Sequence, residues 1–200
     1  MPSRARISIF FTINLFLCSW HLFSGRSDNI VSRSAMVAAI VVDGTLNIDA
    51  YKDLTGDKSS INGHYYSEKA PLPALVVVPF WWVAWHSGLV AHDEQGAIRP
   101  ALIALGGFIC GSVPMALIMT MLWLALHALP RPSIIPPAVL STLPLYGSFL
   151  FIFSGSWFGH LSGAALLLLA YHSLLRRSYF MCGFYAGAAV LCDHPLAVFP

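Results

Sequence analysis

Hydrophobic residues run through most of this chain in long unbroken stretches, and charge is confined to the gaps between them. The charge-free stretches cover residues 7–25, 70–92, 100–130, 132–175 and 178–192. A bilayer core about 30 Å thick takes roughly 20 apolar residues of helix, so most of these stretches predict a membrane span. The stretch 132–175 is long enough for two. Residues 138–153 and 160–175 are the expected pair, joined by Ser154–Gly159 and closed by Arg176-Arg177. Pro114 is expected to kink the 100–129 helix. The prolines around residues 130–137 mark a connector.

The polar positions cluster just as strongly. Eleven of the twenty Asp, Glu, Lys and Arg residues lie between Gly25 and Ala70. Within that segment Ser27 or Asp28 is placed to cap a helix through Ile30, Val31, Ala35, Ala38 and Val42 that ends at Asp43-Gly44. Its apolar spacing predicts a helix lying on the membrane surface. The stretch Thr45–Tyr51 reads as a short extended piece, and Thr55-Gly56-Asp57 and Asn62-Gly63 read as turns.

The expected organisation is therefore a first transmembrane helix over 1–24, a loop over 25–70 and a helical membrane bundle over 71–200. The chain's end inside an apolar segment, at Ala-Val-Phe-Pro200, suggests a bundle that continues further. Arg4 and Arg6 ahead of an uncleaved first helix place the N-terminus in the cytoplasm by the positive-inside rule, with residues 25–70 on the outer face. Putting Arg131 and Arg176-Arg177 in the cytoplasm as well requires either that the Trp81, Trp82 and Trp85 segment, 71–91, does not cross or that 100–129 is not a single crossing; a surface or re-entrant 71–91 is the expected arrangement.

Composition sharpens this picture. The chain of 200 residues is 57% hydrophobic and 10% charged, against about 25% charged in ordinary globular chains. That excludes a soluble enzyme, a nucleic-acid binder and a disordered chain. The net charge of +2 carries little information about partners. Cys18, Cys110, Cys182 and Cys192 lie in apolar runs without metal-ligand spacing and read as small buried hydrophobes. The pairs Gly107/Gly111, Gly155/Gly159, Gly159/Gly163 and Gly183/Gly187 predict close helix contacts, mostly within the chain.

Candidate chemistry gathers at the ends of the loop. Asp28 follows the first helix at the membrane boundary, where a carboxylate can act as a general base or cap the next helix. Gly63-His-Tyr-Tyr-Ser-Glu-Lys-Ala-Pro71 places His64, Tyr65, Tyr66 and Lys69 at the mouth of an apolar segment. The ammonium can reach a lipid phosphate and the rings can stack on a sugar. Equally, the tyrosines can be interfacial belt residues and Lys69 can snorkel. His64, His160, Asp193 and His194 lack metal-site spacing, and a divalent cation is left open rather than assigned.

Arg33 to Asp49, Thr55-Gly-Asp-Lys58 and Gly63 to Pro71 together resemble the first external loop of bacterial GT-C membrane glycosyltransferases, in particular the group related to dolichyl-phosphate-mannose protein mannosyltransferases. Phe158-Gly-His160, ahead of an Ala/Leu-rich helix, resembles another element of that group. The resemblance implies an all-α polytopic membrane protein, a GT-C-like helix bundle with juxtamembrane helices in its long first extracytoplasmic loop. It implies transfer of a sugar from a polyprenyl-phosphate donor to an acceptor hydroxyl on a glycan, lipid or protein at the outer face of the plasma membrane. Asp28 would be the base. Lys69 would contact the phosphate, with His64, Tyr65, Tyr66 and Asp57 around the substrate. The family's acidic pair is here Asp28-Asn29, and Leu72 stands where the family has glycine. Two other readings remain beside it: a non-catalytic polyprenyl-phosphate binder or structural partner, and a small transporter.

Overall fold

A computed structural model of the chain describes residues 2–90, 98–130 and 134–198. Arg131, used above to reason about topology, lies outside the described residues.

The first apolar stretch forms helix α1 (Arg4–Ser19), begun by the Ser3 side chain accepting from the Arg6 amide. Helix α2 (Asp28–Ala38) starts with Ser27 accepting from the Ile30 amide. It runs on through a wider turn, Ala39–Asp43, to Gly44, whose φ of 66° is the left-handed conformation that closes a helix. A 3-10 helix (Asp49–Leu54) stands where an extended piece was expected.

Next comes a hairpin, β1 (Lys58–Ile61) with β2 (His64–Ser67), in antiparallel register with Lys58 opposite Ser67 and Ile61 opposite His64. Its turn is Asn62-Gly63, with φ of 52° and 84°. Positive φ at both central residues gives the turn a twist that matches the strands.

The remaining chain is helical. It comprises α3 (Leu72–Leu75), α4 (Val78–His86), α5 (Pro100–Gly107), α6 (Val113–Ala128), α7 (Pro137–Tyr146), α8 (Leu150–Ser154), α9 (His160–Leu175) and α10 (Tyr179–Cys192). A short 3-10 turn, His194–Val198, follows α10. A widened turn at Phe108–Ser112 joins α5 to α6, so that Pro100–Ala128 is one continuous helix of 29 residues. The widened turn absorbs Pro114, which has no amide to donate.

Among the described residues this is the one helix long and apolar enough to cross a membrane. The expected all-α, multi-span GT-C-like bundle is therefore corrected on two counts: the loop contains a hairpin, and the apolar stretches are not long helices. The reason is local. Freedom from charge does not make a run one helix, because prolines and glycines divide it. Residues 132–175 break into α7, α8 and α9, with Gly147 and Gly155 as end caps, while residues 70–92 break into α3 and α4.

The second correction concerns α2. It is not a surface helix: Ile30, Val31, Ser32, Arg33, Ser34, Ala35, Val37 and Ala38 are all buried. One side joins Trp81, Leu102, Ile103 and Trp157, and the other joins Ile48 and Ile98. The Gly107/Gly111 pair works inside the chain. A Cβ at Gly107 would lie 2.8 Å from the Gly155 carbonyl oxygen, and one at Gly111 would lie 2.7 Å from that of Phe153. Only hydrogen at those positions lets the long helix meet the α8 turn backbone to backbone.

Candidate functional site

Charge is most out of place at Arg33. The periodicity that buries Ile30, Val37 and Val41 on one face of α2 carries Arg33 in with them, at 5% exposure. Its Nη1 donates to the Asn29 backbone oxygen at 3.3 Å and also to the Asn29 side-chain oxygen. Its buried Nε has no hydrogen-bond partner among the described residues. Among the described residues no carboxylate forms an ion pair with it. Burial therefore pushes its pKa below the ordinary arginine value, opposed in part by the fields of Asp193 and Asp57. A buried guanidinium with a free donor is costly unless an anion completes it.

Asp57 and Lys69 stand on the hairpin side of Arg33. The Ser32 hydroxyl donates to the Asp57 backbone oxygen at 2.6 Å and lies 2.7 Å from the Ser67 hydroxyl, which fastens the hairpin to α2. Lys69 Nζ sits 2.9 Å from Asp57 Oδ2 and 3.0 Å from Glu68 Oε1. Burial draws its pKa down, but those two carboxylates more than offset this, and the net shift is upward. Lys69 is thus already compensated within the protein, and Asp57 serves as its counterion.

Asp193 stands at the end of α10, and His160 is the first residue of α9. His160 Nδ1 is 2.6 Å from Asp193 Oδ2. The imidazole stacks beside Phe158, with ring centroids 5.8 Å apart and planes at 12°. Gly159 makes this meeting sterically feasible, because a Cβ there would lie 1.9 Å from the Cys192 carbonyl oxygen.

An apolar groove of about 260 Å³ opens next to these residues, with Leu72, Pro73, Val76, Leu166 and Cys192 in its wall. The Pro73 carbonyl accepts from the Trp157 indole at 3.0 Å, which pins the Lys69–Pro73 edge to the turn before α9.

The other residues nominated from the sequence are placed differently. Asp28 is the exposed first residue of α2, where a carboxylate favours the helix N-terminus. Its backbone oxygen accepts from the Thr55 hydroxyl at 2.8 Å, and its carboxylate packs against Gly56. His64 pairs with Asp49 at 2.7 Å, away from His160, and Asp49 also accepts from the Tyr65 amide at 2.7 Å. Those bonds, the His64 one first, hold the Asp49 pKa below the usual carboxylate value. Tyr65 lies under Lys52 and Lys58, at 5.2 and 5.5 Å. Tyr66 is opposite Ser59, on the other face of the strand.

The set His64, His160, Asp193 and His194 does not assemble. Among the described residues no three His, Cys, Asp or Glu side chains group as metal ligands. Arg33 is the residue that motif reading missed. Its signal was present: it falls on the Ile30–Val37–Val41 stripe, and a charge inside an apolar stripe is a buried charge.

Comparison with protein-family models, curated proteins and solved structures gives no match to this chain.

Proposed function

We propose that this protein holds the phosphate of a polyprenyl-phosphate-linked sugar and takes part in moving that sugar to an acceptor hydroxyl at the outer membrane face. The observation that carries the reading is Arg33, a buried guanidinium that among the described residues has an unused Nε donor and no carboxylate partner. Arginine suits a phosphate because its planar fork presents paired donors. The apolar groove lined by Leu72, Pro73 and Cys192 suits an isoprenoid chain, since its wall is almost wholly hydrocarbon. A free nucleotide or inorganic anion would have no use for that wall.

The outward apolar side chains of α10, among them Phe180 and Phe184, suit contact with lipid more than with water. The sugar-transfer part of the reading rests on the motif resemblance of residues 33–71 and 158–160. The phosphate part rests on geometry.

Equilibrium binding to the full chain in lipid nanodiscs tests it. Undecaprenyl phosphate is expected to bind saturably, with undecaprenol and inorganic phosphate each at least tenfold weaker. Equal binding of undecaprenol and undecaprenyl phosphate would remove the phosphate site from the account.

A further inference from the structure

His160 and Asp193 form a pair that the phosphate reading does not use. Asp193 Oδ2 lies 2.6 Å from His160 Nδ1, so a carboxylate accepts the Nδ1 proton and fixes the tautomer. The lone pair is then left on Nε2, which makes no hydrogen bond among the described residues. Phe158 stacked on the ring and Phe153 at its edge, 5.2 Å away, hold the imidazole in place. The side chain is still 49% exposed, so a substrate can reach it. A carboxylate on one nitrogen with the other nitrogen open is the arrangement of an oriented general base.

Its position gives it a target. Cys192, next to Asp193 in sequence, and Ser162, two residues after His160, both line the apolar groove, so the pair stands at the groove wall. A phosphate at Arg33 with its chain in the groove would present the sugar near the imidazole.

Resting on the phosphate reading, we propose that His160, oriented by Asp193, is the base that deprotonates the acceptor hydroxyl. The acceptor O–H proton passes to His160 Nε2 as the acceptor oxygen bonds the anomeric carbon. The bond from that carbon to the phosphate oxygen breaks, and its electron pair leaves on polyprenyl phosphate. Asp193 stabilises the imidazolium until the proton is lost to water. Asp28 is the weaker candidate for this task, because its carboxylate, in the first turn of α2, packs against Gly56.

Two readouts on the full chain in nanodiscs test the assignment. In the wild type, nitrogen-15 correlation spectra at mildly alkaline pH are expected to show His160 with its proton on Nδ1, and Asp193→Ala is expected to lose that preference. Diethyl pyrocarbonate, which acylates neutral imidazole nitrogen, is followed at His160 by mass spectrometry. Saturating undecaprenyl phosphate is expected to slow that reaction at least fivefold, while His64, on the hairpin, reacts at an unchanged rate. A wild-type His160 protonated on Nε2 would overturn the proposal. So would lipid-phosphate binding that leaves the His160 rate unaltered, an outcome that keeps the phosphate reading intact. Absence of any saturable binding would remove both. The protection measurement uses the wild-type chain, so it does not depend on whether Asp193→Ala folds.

Discussion

Helices α2 and α10 invert the usual relation between sequence and burial. Helix α2 belongs to the most charged part of the chain, yet eight of its eleven residues are buried, Arg33 included. Helix α10 carries no charge at all, yet Tyr179, Phe180, Phe184 and Leu191 face outward, and only Ala189 and Cys192 are buried. In water the first arrangement spends stability on an enclosed charge, and the second leaves apolar surface uncovered. The contrast teaches that packing here serves the polar segment. The loop, the hairpin and the Trp157 turn close around α2, while the last helices provide an apolar outer surface.

Breaking the packed side should have the largest effect. Trp157 is fully buried and binds the Pro73 carbonyl. Trp157→Ala is expected to destabilise the fold by about 3–5 kcal/mol, read as a lowered unfolding midpoint. Gly159→Ala comes next. Its Cβ would meet the Cys192 carbonyl, so the start of α9 must move away from the end of α10. The expected cost is about 1–3 kcal/mol, with loss of the His160–Asp193 contact from nitrogen-15 spectra.

The unpacked side should respond far less. Phe180→Ser with Phe184→Ser is expected to change the chain's own unfolding by no more than about 0.5 kcal/mol each, while weakening its partition into lipid vesicles. A loss as large as that of Trp157→Ala would mean that α10 is packed from within, and the comparison would collapse.

The smallest effect belongs to the hairpin end. The Asp49 pKa is depressed in the folded state. Its contribution is therefore complete above the pKa of an unfolded aspartate, about 4, and fades as pH falls through the lower folded value. The Tyr65 amide, which donates to Asp49, should lose protection from hydrogen exchange over that interval. Asp49→Asn should remove the pH dependence without unfolding α2.

Part of this was legible in the sequence and part was not. Helix α2 was readable from Ser27, its apolar spacing and Gly44, because capping and periodicity are local properties. Its burial was not, since that depends on Trp81, Trp157 and Ile98 arriving from distant segments. Hydropathy counts composition over a window, and so it overstated the spans. Gly147 and Gly155, single residues inside apolar runs, set where the helices end. The hairpin had a local sign in Asn62-Gly63, but Lys58–Ile61 lacks the alternation that announces a strand. Lys69 was found from its motif, whereas its neutralisation by Asp57 required the fold. His160 and Asp193, 33 residues apart, were each visible as polar groups in apolar surroundings, but only the α9–α10 hairpin brings them into contact.

The central claim is that α2 encloses a charge kept for an anion. Arg33→Met tests it most directly, with unfolding and undecaprenyl phosphate binding measured on the same preparation. Methionine fills much of the same space without a charge to desolvate. The account predicts equal or greater stability, because a buried unpaired charge is removed, together with about a hundredfold weaker binding, the scale of two charge-assisted hydrogen bonds. A destabilised Arg33→Met chain that still binds undecaprenyl phosphate as tightly as the wild type would contradict it, and Arg33 would then be a structural residue.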